Sequence, residues 1–254
     1  MQATIIITGE PSWLARIQAQ LGDTYHILHQ PDAKGYMNAL IENLAALVLV
    51  DGDAPDWATW VSTPKVSPAT RRIPIVVVSD NDDMRAAITN AGGDHMLTSA
   101  ELLADAPRLV ADIARIPDPE RMEQLACDCQ EPLPPRAREG VAKFNAGEYY
   151  AQHDLFEEQW VETDAPVRDL YRAVLQVGVA YYQIQRGNYR GALKMLQRSV
   201  QWLVILPDSC QGINVKRLRE DSFKVRAELE RLGEDRFDEF DMSLIRGVDY
   251  TPVA

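Results

Sequence analysis

The chain has 254 residues, with 26 Lys+Arg against 38 Asp+Glu, a formal charge of −12 and a hydrophobic share of 46%. That length suits one or two domains, and the composition excludes a disordered chain, a collagen-like chain and a disulfide miniprotein. The acidic balance argues against tight non-specific nucleic-acid binding, which rests on Lys and Arg neutralising phosphates. The longest apolar run, 44–50, is far below the ~18 residues of a membrane span.

The N-terminus, Met-Gln-Ala-Thr, lacks a basic flank, so no signal peptide is expected and the setting is read as cytoplasmic. Apolar runs at 4–8, 25–28, 45–50 and 73–78 are rich in Ile and Val and do not alternate with polar residues. Such runs predict strands buried on both faces of a parallel sheet. A weaker strand is expected at 94–97. Segments of helical length lie between them, such as 12–21 and 82–91, and one more is expected over 99–114. Five βα units predict an α/β doubly wound, five-stranded parallel sheet.

Residues 117–135 hold Pro117, Pro119, Pro132, Pro134 and Pro135. Proline removes a donor and fixes φ, so this stretch is read as a linker between a domain at 1–116 and another at 136–254. The second half carries helical patterns at 136–145, 149–161, 165–185, 189–206 and 215–232, with no strand signal of weight. It predicts an all-α helical bundle. Gly147-Glu148-Tyr149 and Gly187-Asn188-Tyr189 read as two similar helix starts, with Gly147 and Gly187 as left-handed helix ends. Gly191 and Ala192 are read as letting neighbouring helices approach.

Two basic clusters, Lys194 with Arg198 and Lys216 with Arg217 and Arg219, read as solvated helix faces. Cys127, Cys129 and Cys210 are an odd number. They are read as reduced cytosolic thiols, and the Cys127-x-Cys129 spacing matches no metal or redox motif.

In an open parallel sheet, function sits at the carboxyl ends of the strands. Those ends read Thr8-Gly9-Glu10-Pro11-Ser12, Asp51-Gly52-Asp53-Ala54-Pro55 and Ser79-Asp80, with 91–98 entering the fifth strand. Asp51 with Pro55, Ser79 and the 91–98 run resemble the receiver domain of two-component response regulators (flavodoxin-like in fold). By that resemblance Asp51 matches the phospho-accepting aspartate and Ser79 the hydroxyl residue that senses the phosphoryl group. The family's acidic pair falls on Thr8 and Gly9, leaving Glu10 as the adjacent acid. Its lysine falls on Ser99 and its proline on Ala100. Mg²⁺ needs carboxylate oxygens, and a cation must offset charge on the transferring phosphoryl group. Asp53 and Glu10 could supply oxygens, Asp53 only by turning inward. The expectation is therefore a degenerate receiver with no cofactor, Mg²⁺ entering only if the site works. Beside it stands the reading of Asp51 as a loop carboxylate at a strand end, capping the next turn.

In the second half, Tyr149, His153, Glu157 (or Phe156) and Trp160 fall on one helical stripe. Together with Phe144, Asn145, Gly147, Gln176, Gly187, Asn188, Gly191 and Ala192 they resemble the domain-of-unknown-function family 309, which implies a helical bundle with a His-Glu-Trp cluster and no reaction. His153 and Glu157 read as a buried hydrogen-bonded pair. They read alternatively as part of a small-ligand pocket with Tyr149, Trp160, Gln176 and Tyr182. A third reading is a metal or acid–base site needing Asp154, Glu158 and Asp164 for further oxygens.

The functional expectation is a non-catalytic regulatory protein. A degenerate receiver would dock a protein partner or a second copy through its last helices, coupled to a helical module that binds a partner or small ligand. No nucleic acid and no membrane are expected. The alternatives are a response regulator phosphorylated at Asp51 with a helical effector, and a helical enzyme using His153 and Glu157.

Overall fold

The computed structural model describes residues 2–67 and 69–253. The chain divides into two compact units, Met1–Ile116 and Pro117–Ala254.

In the first unit, five strands form one parallel sheet: β1 (Thr4–Thr8), β2 (His26–Gln30), β3 (Ala45–Asp51), β4 (Ile75–Val78) and β5 (His95–Leu97). Their order is β2-β1-β3-β4-β5, the flavodoxin-like doubly wound order. Successive side chains of a strand point to opposite faces, and here both faces are covered. Ile5 and Ile7 pack with Ile17, Leu47, Leu49 and Val110 on one face, while Ile6 packs with Leu40, Val48, Val50 and Trp60 on the other. That double burial is why the strands read as unbroken Ile/Val runs.

Six helices flank the sheet: α1 (Leu14–Leu21), α2 (Tyr36–Glu42), α3 (Trp57–Lys65), α4 (Arg85–Ala91), α5 (Ser99–Ala104) and α6 (Ala106–Ile113). The single helix expected over 99–114 is two. Asp105 leaves helical geometry at φ −154° and ψ 56° and caps α6, whose first turn contains Pro107. A proline there is tolerated only as part of a new helix start.

The second unit is helical: α7 (Pro119–Asp128), α8 (Pro135–Asn145), α9 (Tyr149–Glu162), α10 (Arg168–Gln185), α11 (Tyr189–Leu203) and α12 (Val215–Leu232). A short antiparallel hairpin, β6 (Ser209–Cys210) and β7 (Ile213–Asn214), precedes α12, where no strand is expected from the sequence.

The stretch 117–135 is not a bare linker. It contains α7, and Leu125, Cys129 and Leu133 are buried in the core of the helical unit. The prolines punctuate helix ends instead of preventing a helix. Pro119 sits in the first turn of α7 behind the cap Asp118, and Pro135 in the first turn of α8, where the missing N–H is no loss.

The cysteine reading is also corrected. Cys129 and Cys210 form a disulfide across a sequence separation of 81, and only Cys127 is free and exposed. Gln211 supports the joint. Its N–H donates to the Cys129 carbonyl at 2.7 Å, and its side-chain oxygen accepts from the Tyr171 hydroxyl at 2.8 Å. The C-terminal segment closes over the same region. The Asn145 amide donates to the Val248 carbonyl and accepts the Val248 N–H, and Tyr250 bridges Ile213. Among the described residues, no helix is long and apolar enough to cross a membrane.

Candidate functional site

At the strand tips of the first unit, three of the four anticipated residues converge. The Asp51 carboxylate accepts the Asp53 N–H at 3.2 Å, and the Ser79 hydroxyl donates to the Asp53 carboxylate at 2.7 Å. Ser79 is 1% exposed, and its oxygen also accepts the Asn81 N–H. Glu10 stands apart, with a side chain 75% exposed and 4.0 Å from His29.

The position of the resembled family's acidic pair is filled by backbone. Gly9 adopts φ +71°, and a Cβ on it would lie 3.3 Å from the Asp51 Cβ. Thr8 is fully buried, and its hydroxyl finds no partner among the described residues. Ser99, at the resembled lysine's position, is held by Asp80, which accepts both its N–H and its hydroxyl at 2.8 Å.

The electrostatics follow these partners. Burial raises the Asp51 carboxyl above the ordinary aspartate range, and the charges of Asp53 and Asp56 add to that against the N–H groups of Asp53 and Ala54. Asp80 is held below that range by the Ser99 hydroxyl and N–H. The residues present do not fit Mg²⁺. Asp51 and Asp53 come from the β3 loop, Asp53 is engaged by Ser79 and Asp80 by Ser99, and Glu10 stands apart. Among the described residues, no group of three or more metal-binding side chains is placed to hold an ion.

In the helical unit, the face of α9 turned to the core carries Tyr149, Gln152 and Phe156. Tyr149 packs edge-on against Phe144 at 5.3 Å and Tyr181 at 5.8 Å. His153 lies at the border of that face, a third exposed, with Nδ1 3.0 Å from the adjacent Asp154. Glu157 is exposed. The expected buried His153–Glu157 pair is therefore not formed. Helical spacing admits i+3 as well as i+4, and Gln152 takes the inward position that the sequence reading gave to His153.

Two of the other anticipated pocket residues, Trp160 and Tyr182, meet arginines and a tyrosine. Trp160 is stacked by two guanidinium groups, Arg168 at 5.5 Å and Arg172 at 4.8 Å, and Arg172 also lies 4.0 Å over the Trp202 ring. Tyr182 meets Tyr150 and Arg186. Gln176 is buried, and its side-chain oxygen has no partner among the described residues, as is true of both amide atoms of Gln152, the Tyr181 hydroxyl and the Trp202 N–H. Sequence reasoning missed Gln152, Tyr181, Arg168, Arg172 and Trp202. The spacing of Arg168, Arg172 and Gln176, four residues apart on one face of α10, is a signal that could have found three members of this stripe.

Gly147 and Gly187 adopt the left-handed conformation their contexts predict. Gly191 does not admit a neighbouring helix. A Cβ there would strike the Asn188 side chain, which caps α11 through the Gly191 N–H.

Residues 137–195 match the family described as Domain of unknown function (DUF309). The match spans α8 to the middle of α11 and so includes Tyr149, Trp160, Arg172 and Gln176. An uncharacterized protein of Aquifex aeolicus (strain VF5) is 23% identical over 83 residues, 32% of this chain and 25% of that protein. The chain thus spans about a quarter of the length of this curated relative. The parallel five-stranded sheet of the first unit is compatible with a receiver-like fold.

Proposed function

We propose that the chain is a regulatory protein in which a receiver-like unit has lost its phosphoryl chemistry and serves as a docking or self-association module. The DUF309-like helical unit would be the binding module, taking a partner or small ligand. The observation that carries this reading is the bonding at the strand tips. Ser79 is spent on Asp53, Ser99 on Asp80, and bare backbone stands at Gly9 where a carboxylate ligand would be needed. A phosphoryl group transferred to Asp51 would meet neither a metal nor a cation to offset its charge.

The helical unit supports a binding role through composition as much as geometry. Trp and Arg dominate binding hot spots, and Trp160, Arg168, Arg172 and Trp202 form one stacked series at the border of α9, α10 and α11. Tyr150 adds an exposed aromatic ring on α9. The enzymatic alternative loses its proton-transfer pair, because His153 bonds Asp154 and Glu157 faces solvent.

The test is incubation of the full chain with acetyl phosphate and Mg²⁺, followed by intact-mass analysis at neutral and acid pH. The expected outcome is unmodified protein. An acid-labile adduct of one phosphoryl group that disappears in Asp51→Ala would establish a working phospho-switch instead.

A further inference from the structure

The basic cluster that opens α12 has no part in the reading above, and it lines an open depression of about 610 Å³ in the helical unit. Its lining residues are Asn214, Lys216, Arg217, Glu220, Asp221, Lys224 and Arg246. Arg246 comes from the C-terminal segment and the rest from α12 and its cap Asn214. No apolar side chain is among them. Small-molecule pockets are usually lined mainly by apolar groups, so this one suits a strongly hydrated, charged ligand. Four lining cations face the two lining carboxylates and Asp249, which lies 3.5 Å from Arg217, so a surplus of one positive charge remains in a chain whose net charge is −12.

Two of these cations are held only in loose ion pairs. Arg217 lies 3.8 Å from Asp221 and 3.5 Å from Asp249, and Lys224 lies 3.6 Å from Asp221. Those are charge contacts, too long for well-formed hydrogen bonds. Among the described residues, Lys216 and Arg246 make no close ion pair and no side-chain hydrogen bond, although the Asp241 carboxyl, lowered mainly by Ser243, is lowered further by the Arg246 charge. Arg219, in the same cluster, shows the contrast: it donates to the Leu203 carbonyl and to Asp208 and so fastens α12 to the chain before it. Lys216 and Arg217 also stand in the first turn of α12, which holds no acidic residue. Cations at that end of a helix oppose its dipole, so stability alone does not account for their placement.

We infer that this depression is a binding site for a phosphoryl dianion, held by Lys216, Arg217 and Lys224 of α12 and closed by Arg246 of the C-terminal segment. A phosphate monoester carries close to two negative charges at neutral pH, opposite in sign to the surplus. Arg supplies a planar fork and Lys a point charge, the two common means of holding phosphate oxygens. The inference is independent of Asp51 and of the Trp160–Arg172–Trp202 stack, and it survives if either reading of those fails.

The full chain is titrated with inorganic phosphate by calorimetry, and separately sedimented with phosphatidylcholine vesicles containing phosphatidic acid. Saturable phosphate binding is expected, weakening as salt rises. Lys216→Gln and Arg246→Gln should each reduce affinity about tenfold, the usual worth of a hydrogen bond to a charged group, with unchanged thermal melts. Lys194→Gln on α11 should leave affinity as it was. Vesicle binding that is lost in the same two variants, without binding of free phosphate, would identify the source as a lipid headgroup and still support the site. Absence of binding in both arms overturns the proposal. Binding that persists unchanged in Lys216→Gln and Arg246→Gln overturns it too, as an adventitious ion only.

Discussion

The strand tips of the first unit and the core of the helical unit handle polar groups in opposite ways. At the tips, polar side chains satisfy one another or their own loops: buried Ser79 with Asp53, Ser99 with Asp80, and Asp51 with the N–H of its own loop. In the helical core, Gln152 and Tyr181 are fully buried, and their polar atoms find no partner among the described residues. A buried polar group without a hydrogen bond costs about 1–3 kcal/mol, whereas a group at the surface falls back on water. Apart from the buried Thr8 hydroxyl, which has no partner among the described residues, the tips of the first unit spend their polar chemistry on fixing loops. The second unit carries more buried polar groups without partners among the described residues, a local inconsistency of the kind also found at functional or strained sites.

The largest expected effect lies where the helical core is tightest. A Cβ on Gly178 would fall 1.7 Å from the Gln152 Oε1 and 3.3 Å from a Phe144 ring carbon. Gly178→Ala should therefore cost about 3 kcal/mol by overpacking, read by urea denaturation. A change within about 0.5 kcal/mol, typical of surface sites, would mean that Gln152 is free to move and that the comparison is overdrawn.

A smaller effect of opposite sign is expected at Gln152 itself. Gln152→Met keeps the shape and removes the unpartnered amide, and should stabilise the chain by about 1 kcal/mol. Destabilisation would show that the amide is bonded in solution, and the contrast between the two units would shrink to one of burial.

The finest test concerns the two aspartates at neighbouring strand ends. Burial raises Asp51 and Ser99 lowers Asp80 relative to the ordinary value of 3.8. Asp80 therefore adds stability that is present above that value and is lost as pH falls through its lower folded value. Asp51 contributes while protonated, and that contribution is lost as pH rises through its raised value. Carbon-13 NMR of the carboxyl groups should place their midpoints on opposite sides of 3.8. Ser99→Ala should return Asp80 towards the ordinary range. Coincident midpoints would show that the tip hydrogen bonds do not persist in solution.

Much of the fold was legible because its cause is local. Strands sandwiched between two helical layers must be apolar on both sides, and 45–50 says so without help from the rest of the chain. The strand-tip residues were legible for the same reason, since Asp51 and Ser79 end their strands. What they bind was not, because Asp80 meets Ser99 only once β4 and β5 pair. The face of α9 was misjudged by one position. His153 and Gln152 differ by only about 100° around the helix, and an imidazole is easier to credit with chemistry than an amide. The helix within 117–135 was obscured because prolines at helix starts and prolines in a linker look alike until Leu125 and Leu133 are seen in the core. Cys129 and Cys210 were read as separate thiols because nothing local marks a partner across that separation.

That covalent link has a topological result. Cys129 and Cys210 bracket the whole of 137–195, so the family-matched helices form part of a closed ring whose clasp lies outside them. A protease that cuts one peptide bond inside the ring releases no fragment until the sulfurs are reduced. The nicked molecule gains only the one water of hydrolysis and holds the severed helices near one another.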